Sequence, residues 1–373
     1  VVDNLAFLIA QKRSIVVSGS HGKTTTTSLV SNIFAEAKID PTVINGGIIN
    51  SYGTNARIGH SHWLVVEADE SDATFSRIPL TIALVTNIEA EHLEYYKSFE
   101  NLKRHFIQYL KNIPFYGFGM VYGDHPTVQE VLQQVPDRRI YTYGFDPKNH
   151  FCIHTVRQER FRTYFDLTIT LEDQLPNSMH DFELALMGEH NVCNATAALG
   201  VAYLMGFSQE QLRHNLRTFL GVQRRFTILE YMRHIYFIDD YAHHPTEVKA
   251  VLKSAQSLNP KNVYVVFQPH RFSRLKSMFS EFSSSFSGCS TVLVLPVYAA
   301  GEEPILGATH TKLAQEITQK GTVAYPVETE DEITVFLEKH LQEQDIVLFM
   351  GAGDITLKAR SITQILRDKW QNS

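Results

Sequence analysis

The stretch Ser14-Ile15-Val16-Val17-Ser18-Gly19-Ser20-His21-Gly22-Lys23-Thr24-Thr25-Thr26-Thr27 decides the reading of this chain. Its first five residues are a short run centred on β-branched side chains, the composition of a strand buried on both faces of a parallel sheet. Two glycines then let the backbone curl so that successive N–H groups point at one anion. Residues 24–37 continue with helical spacing, and a helix N-terminus at that point adds partial positive charge. Gly19, His21, Gly22, Lys23, Thr24 and Thr25 are therefore expected to line a nucleotide triphosphate site. In such a site Lys23 reaches the β- and γ-phosphates, and the Thr24 hydroxyl binds magnesium. The spacing departs from the usual phosphate loop, because Val17 stands where its first glycine would be.

The same punctuation recurs further on. Apolar runs at 63–66, 82–86, 235–238, 263–267, 292–295 and 346–350 each stop abruptly at glycine, a polar residue or proline. Longer segments with helical spacing lie between many of them, such as 246–257, and this alternation predicts an α/β fold with a mostly parallel sheet. Residues 151–183 alternate more strictly, which predicts a small antiparallel addition to the first sheet. A helix is expected at about 191–205, and Ser208 with Gln211 reads as the capping box of another. The pattern restarts near Gly221-Val222-Gln223, so the predicted domains are 13–221 and 222–373. In such folds ligands gather beyond the carboxyl ends of the strands.

Composition narrows the function classes. The 373 residues fit two or three domains, and 44% hydrophobic with 20% charged residues excludes disordered and fibrous classes. Lys and Arg number 34 against 40 Asp and Glu, a net charge of −6 that argues against a nucleic-acid partner. The three cysteines, Cys152, Cys193 and Cys289, are odd in number and scattered, so no disulfide framework is expected and cytosol is the default. Apolar runs such as 291–300 and 345–350 fall short of the roughly 18–20 residues that span a bilayer, so no membrane partner is expected.

Candidate ligand groups follow the strands. Run 63–66 leads into Glu67-Ala68-Asp69-Glu70-Ser71-Asp72, and 82–86 into Asn87-Ile88-Glu89-Ala90-Glu91-His92. Magnesium takes one or two protein carboxylates, with phosphate and water completing its shell. Glu67, directly at a strand end, is the best-placed acid; Asp69, Glu70 and Asp72 read equally well as a solvated turn. His92 is a metal candidate by its position at a strand exit. Asn191 and Asn194 open a helix, where their amides could read the edge of a base. Arg225 lies at the domain junction and could reach a phosphate. Asp239-Asp240-Tyr241-Ala242-His243-His244 and His270-Arg271-Phe272-Ser273-Arg274 follow later strands. Two arginines three apart could grip one carboxylate by charge-assisted bonds. The pair His243-His244 invites a zinc reading, but adjacent residues do not easily share a metal and no cysteine is near.

Nine segments now stand in a telling order: GSHGKTTTT, EADESD, NIEAEH, HNxxNA, GVQRRF, DDYAHHPTEV, FQPHRFSR, YAAGE and MGAGD. The set, from about residue 12 to 360, resembles the Mur ligases, and most closely the branch that joins L-alanine to UDP-N-acetylmuramate. Sibling branches are the ligase that recycles murein tripeptide and the folylpolyglutamate synthetases; EADESD followed by NIEAEHLEYY favours alanine. A nucleotide-driven switch or binding module would leave His270, Arg271 and Arg274 unexplained.

The resemblance implies a P-loop-type central ATPase domain followed by a Rossmann-like C-terminal domain. It implies a bacterial, cytoplasmic enzyme of peptidoglycan synthesis that uses ATP and magnesium, as monomer or homodimer. It implies phosphoryl transfer to the muramyl carboxylate, then attack on the acyl phosphate by the amine of L-alanine. By the same likeness, Lys23 holds the β- and γ-phosphates, Thr24 and Glu67 one magnesium, and His92 a second. Asn191 and Asn194 face adenine, Arg225 the γ-phosphate and Asp239 the ribose; Lys23, His92 and Arg225 carry the chemistry. His243, Arg271 and Arg274 hold the L-alanine carboxylate, with Tyr241 and His270 near. Several relatives carry a carbamylated lysine, for which Lys103 is the nearest candidate here. Residues 46–57 resemble the family's muramyl-facing loop. Residues 1–12 read as a linker from a UDP-binding domain that is missing, and the sequence as a piece of a longer enzyme.

Overall fold

A computed structural model of the chain describes residues 11–172 and 174–371. The expected linker at 1–12 lies outside these residues except for its last two. The chain divides into two compact units between Gln223 and Arg224.

The first unit is built on a ten-stranded sheet. Its strands are β1 (Arg13–Ser18), β2 (Thr42–Ile49), β3 (Thr54–Arg57), β4 (Trp63–Glu67), β5 (Ile82–Val85), β6 (Phe118–Tyr122), β7 (Ile140–Gly144), β8 (Phe151–Glu159), β9 (Arg162–Ile169) and β10 (Asn177–Leu184). Their spatial order is β10-β9-β8-β7-β6-β5-β1-β4-β2-β3. β1 runs at the middle, parallel to β4 and β5, and every residue from Ser14 to Ser18 is buried. Alternation sends Ile15 and Val17 to one face and Val16 to the other. Helices Lys23–Glu36 and Glu189–Leu204 cover the first face, and Phe99–Lys111 the second. A run hydrophobic without alternation therefore marks a strand with helices on both sides.

Strands β8, β9 and β10 pair antiparallel, as the alternation of 151–183 predicts. Phe165 and Phe182 stack across them at 5.4 Å and bury against the Glu189–Leu204 side. The Ser208 and Gln211 capping box is present.

Two expectations need correction. Residues 46–48 are not in a loop: they lie within β2, whose antiparallel partner is β3, and only the turn at 50–53 joins the two strands. Gly46 and Gly47 hide the strand because glycine offers the sheet no side chain. Val222 and Gln223 belong with the first unit rather than opening the second. Val222 bridges to Ile49, and the Gln223 N–H donates to the Ile48 carbonyl at 3.1 Å.

The second unit holds a six-stranded sheet, ordered β11-β12-β16-β13-β14-β15. These are β11 (Thr227–Met232), β12 (Ile235–Asp240), β13 (Val263–Phe267), β14 (Thr291–Val294), β15 (Ala324–Pro326) and β16 (Ile346–Met350). All pairs except β11–β12 are parallel. Phe237 and Ile238 face opposite cores, one closed by helix Ile355–Gln371 and the other by Pro245–Gln256. Among the described residues, no helix is long and apolar enough to cross a membrane.

Candidate functional site

In the first unit, β1 ends at Ser18 and the chain turns through Gly19–Gly22 into helix Lys23–Glu36. Gly19 has φ 132° and Gly22 φ 83°, conformations that L side chains rarely adopt. Space is short as well: a Cβ on Gly19 would lie 2.2 Å from Thr86 Oγ1, and one on Gly22 2.5 Å from Asn194 Oδ1. The exit of β5 holds the loop from one side. Asn87 Oδ1 accepts from the His21 N–H at 2.9 Å, Thr86 Oγ1 donates to the His21 carbonyl at 2.6 Å, and the Glu89 N–H donates to Ser20 Oγ at 2.8 Å.

Lys23 sits inside this curl. Its Nζ donates to the carbonyls of Gly19 at 2.7 Å and Ser20 at 3.2 Å, and pairs with Glu70 Oε2 at 2.7 Å. Burial pulls the ammonium pKa down, but the adjacent Glu70 charge outweighs it and leaves Lys23 above its ordinary value. Glu70 is only 1% exposed, so the buried acid and base neutralise one another.

Thr24 Oγ1 donates to Glu67 Oε1 at 3.0 Å, and Glu67 Oε2 accepts from the Gly46 N–H at 2.7 Å. A hydroxyl and a carboxylate beside a phosphate-type loop are the hard oxygen set that magnesium selects. A second cluster joins Asp69, Glu70 and His92, whose ligand atoms lie within 4.8 Å of one another. His92 Nε2 is 3.7 Å from Glu70 Oε1, an oxygen that accepts no hydrogen bond among the described residues. These groups fit a divalent cation. Asp72 instead closes a short turn by accepting from the Thr74 N–H at 3.1 Å, and Asp69 also accepts from the Ser71 N–H at 3.3 Å.

Asn191 and Asn194 are buried behind the loop. Asn194 Nδ2 donates to Asn191 Oδ1 at 3.2 Å, its Oδ1 accepts from Thr26 Oγ1 at 3.2 Å, and Asn191 Nδ2 donates to the Met187 carbonyl at 2.8 Å. Their visible work is to brace Gly22 and the first helical turn. Thr25 is buried in that turn. Lys103 pairs with Glu100 and Glu130, which raise its ammonium pKa.

The second unit gathers another constellation beyond its strands. Arg224 Nη2 donates to the carbonyls of Gly351 at 2.5 Å and Gly353 at 3.3 Å. Its guanidinium lies 4.7 Å from the Tyr241 ring centroid, with that of Arg225 at 5.3 Å. Asp239, placed for a ribose by resemblance, is 1% exposed and accepts at both oxygens from Thr356 Oγ1, at 3.1 and 3.0 Å. In this structure it is turned into the protein. Asp240 accepts from the N–H groups of Phe226 at 2.7 Å and Ala242 at 2.8 Å, anchoring the strands of chain on either side. Burial pushes its carboxyl up to about 6.

The His243 ring meets Tyr241 edge-on at 5.1 Å and His270 at 6.0 Å, and His270 stacks on Tyr298 at 5.4 Å. Arg274 Nη1 lies 3.4 Å from His270 Nδ1. Burial lowers His243 to about 3, and burial together with Arg274 and Arg271 lowers His270 to about 4, so both rings are neutral at pH 7. Arg271 caps the short helix Phe272–Ser277 with φ 68°, exposed, its N–H donating to the Tyr298 carbonyl at 2.8 Å. The structure thus draws Tyr241, His243, His270 and Arg274 together, with Arg271 beside them.

Sequence reasoning left Glu70 undecided between a ligand and a solvated turn, and did not single out Thr86, Asn87, Asp240, Glu247 or Tyr298. Glu247 receives the His243 N–H at 3.0 Å and completes a capping box with His244. That spacing, His244 to Glu247, was a readable signal; nothing in the sequence separates buried Glu70 from its exposed neighbours.

Residues 17–202 match the Mur ligase middle domain, and 224–353 match the Mur ligase, glutamate ligase domain. The UDP-N-acetylmuramate–L-alanine ligase of Brucella anthropi is 43% identical over 366 residues, covering 98% of this chain and 78% of the relative. The crystal structure of UDP-N-acetylmuramate-alanine ligase from Thermotoga maritima superposes with a TM-score of 0.80 at 27% identity, over 99% of this chain and 78% of that one. A murein peptide ligase from Psychrobacter arcticus shares the fold, with a TM-score of 0.67 at 20% identity over 98% and 79% of the two chains.

Proposed function

This chain belongs to the Mur ligase family, and from that premise we propose that it is an ATP-dependent ligase joining L-alanine to the carboxylate of UDP-N-acetylmuramate. The observation that carries the reading is the phosphate-type loop of the first unit, with Lys23 bonded to the Gly19 carbonyl and to Glu70, and the next residue, Thr24, bonded to Glu67. The 43% identity to alanine-adding ligases supplies the substrates.

In the proposed reaction the γ-phosphoryl group passes to the muramyl carboxylate, the amine of L-alanine attacks the acyl phosphate, and phosphate leaves. No enzyme nucleophile is needed, so the residues act by position and charge. The loop N–H groups and Lys23 hold phosphate oxygens; for Lys23 this means exchanging its bonds to its own loop and to Glu70. Thr24 and Glu67 would hold magnesium, with Glu70 and His92 serving a second cation; the metal neutralises charge on the phosphates. Arg225 is suited to an anion, since its charge rests on the Tyr241 face and on Glu247 at a loose 3.9 Å. Arg271 and Arg274 would take the amino-acid carboxylate. Neutral His243 and His270 leave those two guanidiniums as the positive charges nearest to it. A cytoplasmic location and the oligomeric state, monomer or homodimer, belong to the same proposal.

The test is phosphate release from ATP and UDP-N-acetylmuramate, with L-alanine or free murein tripeptide as the acceptor. L-Alanine-dependent release, with the Michaelis constant for L-alanine raised about tenfold to a hundredfold in Arg274→Ala, is the expected result. Release that answers to tripeptide and not to L-alanine would make the chain a recycling ligase.

A further inference from the structure

A cavity of about 550 Å³ opens in the first unit between the turn Thr74–Arg77 and helix Phe99–Lys111, lined by Ser76, Arg77, Arg104, His105, Gln108 and Asn112. No carboxylate lines it. Arg77 has no acidic partner among the described residues, and Arg104 donates only to the neutral amide of Asn101, at 3.3 Å. The amides in the wall are committed: Gln108 Nε2 donates to Asn112 Oδ1 at 2.8 Å, and Asn112 Nδ2 to the Ser76 carbonyl at 2.7 Å. Two guanidiniums facing one cavity without a counter-charge repel each other unless an anion joins them.

His105 refines the identity of that anion. Ser76 Oγ donates its one hydrogen to the Ala73 carbonyl at 2.8 Å, so across its 3.2 Å contact with His105 Nδ1 the ring must be the donor. Burial and the Arg77 charge hold the His105 pKa below its ordinary value, which keeps the ring neutral. The neutral tautomer with its proton on Nδ1 leaves Nε2 as a bare acceptor. A ligand suited to this cavity therefore offers anionic oxygens to Arg77 and Arg104 and a hydrogen to His105.

We propose that the cavity between Thr74–Arg77 and Phe99–Lys111 binds a phosphate group that still carries a hydrogen, gripped by Arg77 and Arg104 and donating its P–OH to His105 Nε2. Two sources of phosphate differ in that hydrogen. Free orthophosphate keeps a hydrogen at neutral pH, whereas a phosphomonoester loses its last one with a pKa of about 6. Sulfate has the charge without the hydrogen.

The experiment follows the His105 imidazole by NMR in the full chain, the signal being assigned with His105→Asn. Sodium phosphate, glycerol phosphate and sodium sulfate are titrated at pH 7.5 and matched ionic strength. A saturable shift with orthophosphate is expected, with binding weakened about tenfold or more for sulfate and in the Arg77→Gln/Arg104→Gln variant. Both arginines are exposed, so the variant should fold as the parent does. Glycerol phosphate, which carries no P–OH at pH 7.5, should bind as weakly as sulfate, and its answering as strongly as orthophosphate would overturn the donated hydrogen. No saturable shift with either phosphate, unchanged affinity in the double variant, or sulfate binding as tightly as phosphate would each overturn the proposal.

Discussion

Lys23 in the first unit and Arg224 in the second are both enclosed cations, and they are held in opposite ways. Lys23 is balanced by a full negative charge, the Glu70 carboxylate at 2.7 Å. Arg224 rests mainly on neutral acceptors, two glycine carbonyls and the face of Tyr241, with Asp239 no nearer than 4.0 Å. Burial accordingly lowers the Arg224 pKa, while the Glu70 charge raises that of Lys23. A compact ammonium on a flexible stem can exchange one anion for another, from Glu70 to a phosphate. A planar guanidinium spread over fixed carbonyls is part of the scaffold. Under the proposed function, the contrast gives the chemistry to the first cation and the architecture to the second.

The largest expected effect breaks the first arrangement. Lys23→Met keeps most of the volume but leaves Glu70 buried beside no cation. It should abolish ATP binding, read by calorimetry, and lower stability by about 3–5 kcal/mol in a urea titration. Adding Glu70→Gln should restore much of the stability and none of the nucleotide binding. If the double variant is no more stable than Lys23→Met, the pair is not the reason for the loss.

This pair also shows where sequence reading stops. The loop, the parallel strands and the antiparallel addition were legible because each depends on local composition: glycines at a strand exit, unbroken Val and Ile runs, strict alternation at 151–183. Glu67 was legible too, being the residue at which β4 ends. Glu70 was not, because its burial is fixed by Lys23 and by Tyr96, whose hydroxyl donates to the Glu70 carbonyl, partners many residues away. Asp239 and Asp240 pose the same problem. They are adjacent and alike in sequence, yet strand alternation gives one to Thr356 and the other to the backbone of Phe226 and Ala242. The strand at 46–48 was hidden for a different reason, since Gly46 leaves room for the Glu67 carboxylate, which a Cβ would meet at 2.7 Å.

The next effect appears only in acid. His243 is held at about 3, below its unfolded value near 6.5, so the unfolded chain binds more protons between those limits. Its contribution is present above pH 6.5 and is lost as pH falls toward 3. Asp240 has the opposite sign: held at about 6, it binds its proton more readily when folded, and it favours folding as pH falls from 6 toward 4. Replacing the ring by His243→Gln should shrink the stability difference between pH 7 and pH 4.5 by up to about 2–3 kcal/mol, while Asp240→Asn should widen it. Urea titrations at the two pH values measure both. A His243→Gln variant with the parent's full acid loss would show that the second unit's pH response lies elsewhere.

The smallest effect tests the scaffold reading of Arg224 most directly. Tyr241 carries Arg224 at 4.7 Å and Arg225 at 5.3 Å, so one ring steadies two like charges. Tyr241→Leu keeps an apolar filler and removes the ring's negative face, which should cost about 1–2 kcal/mol in stability if both contacts count. Arg224 keeps its bonds to the Gly351 and Gly353 carbonyls in that variant, whereas Arg225 keeps only the distant Glu247. The loss should therefore fall on Arg225: with Tyr241→Leu as background, Arg225→Ala should add less than about 0.5 kcal/mol, while Arg224→Ala still adds its full effect. Tyr241→Phe retains the face and should behave as the parent. Were Arg224→Ala instead silent in the Leu background, the ring rather than the carbonyls would be what holds Arg224, and the distinction between a chemical lysine and an architectural arginine would fail.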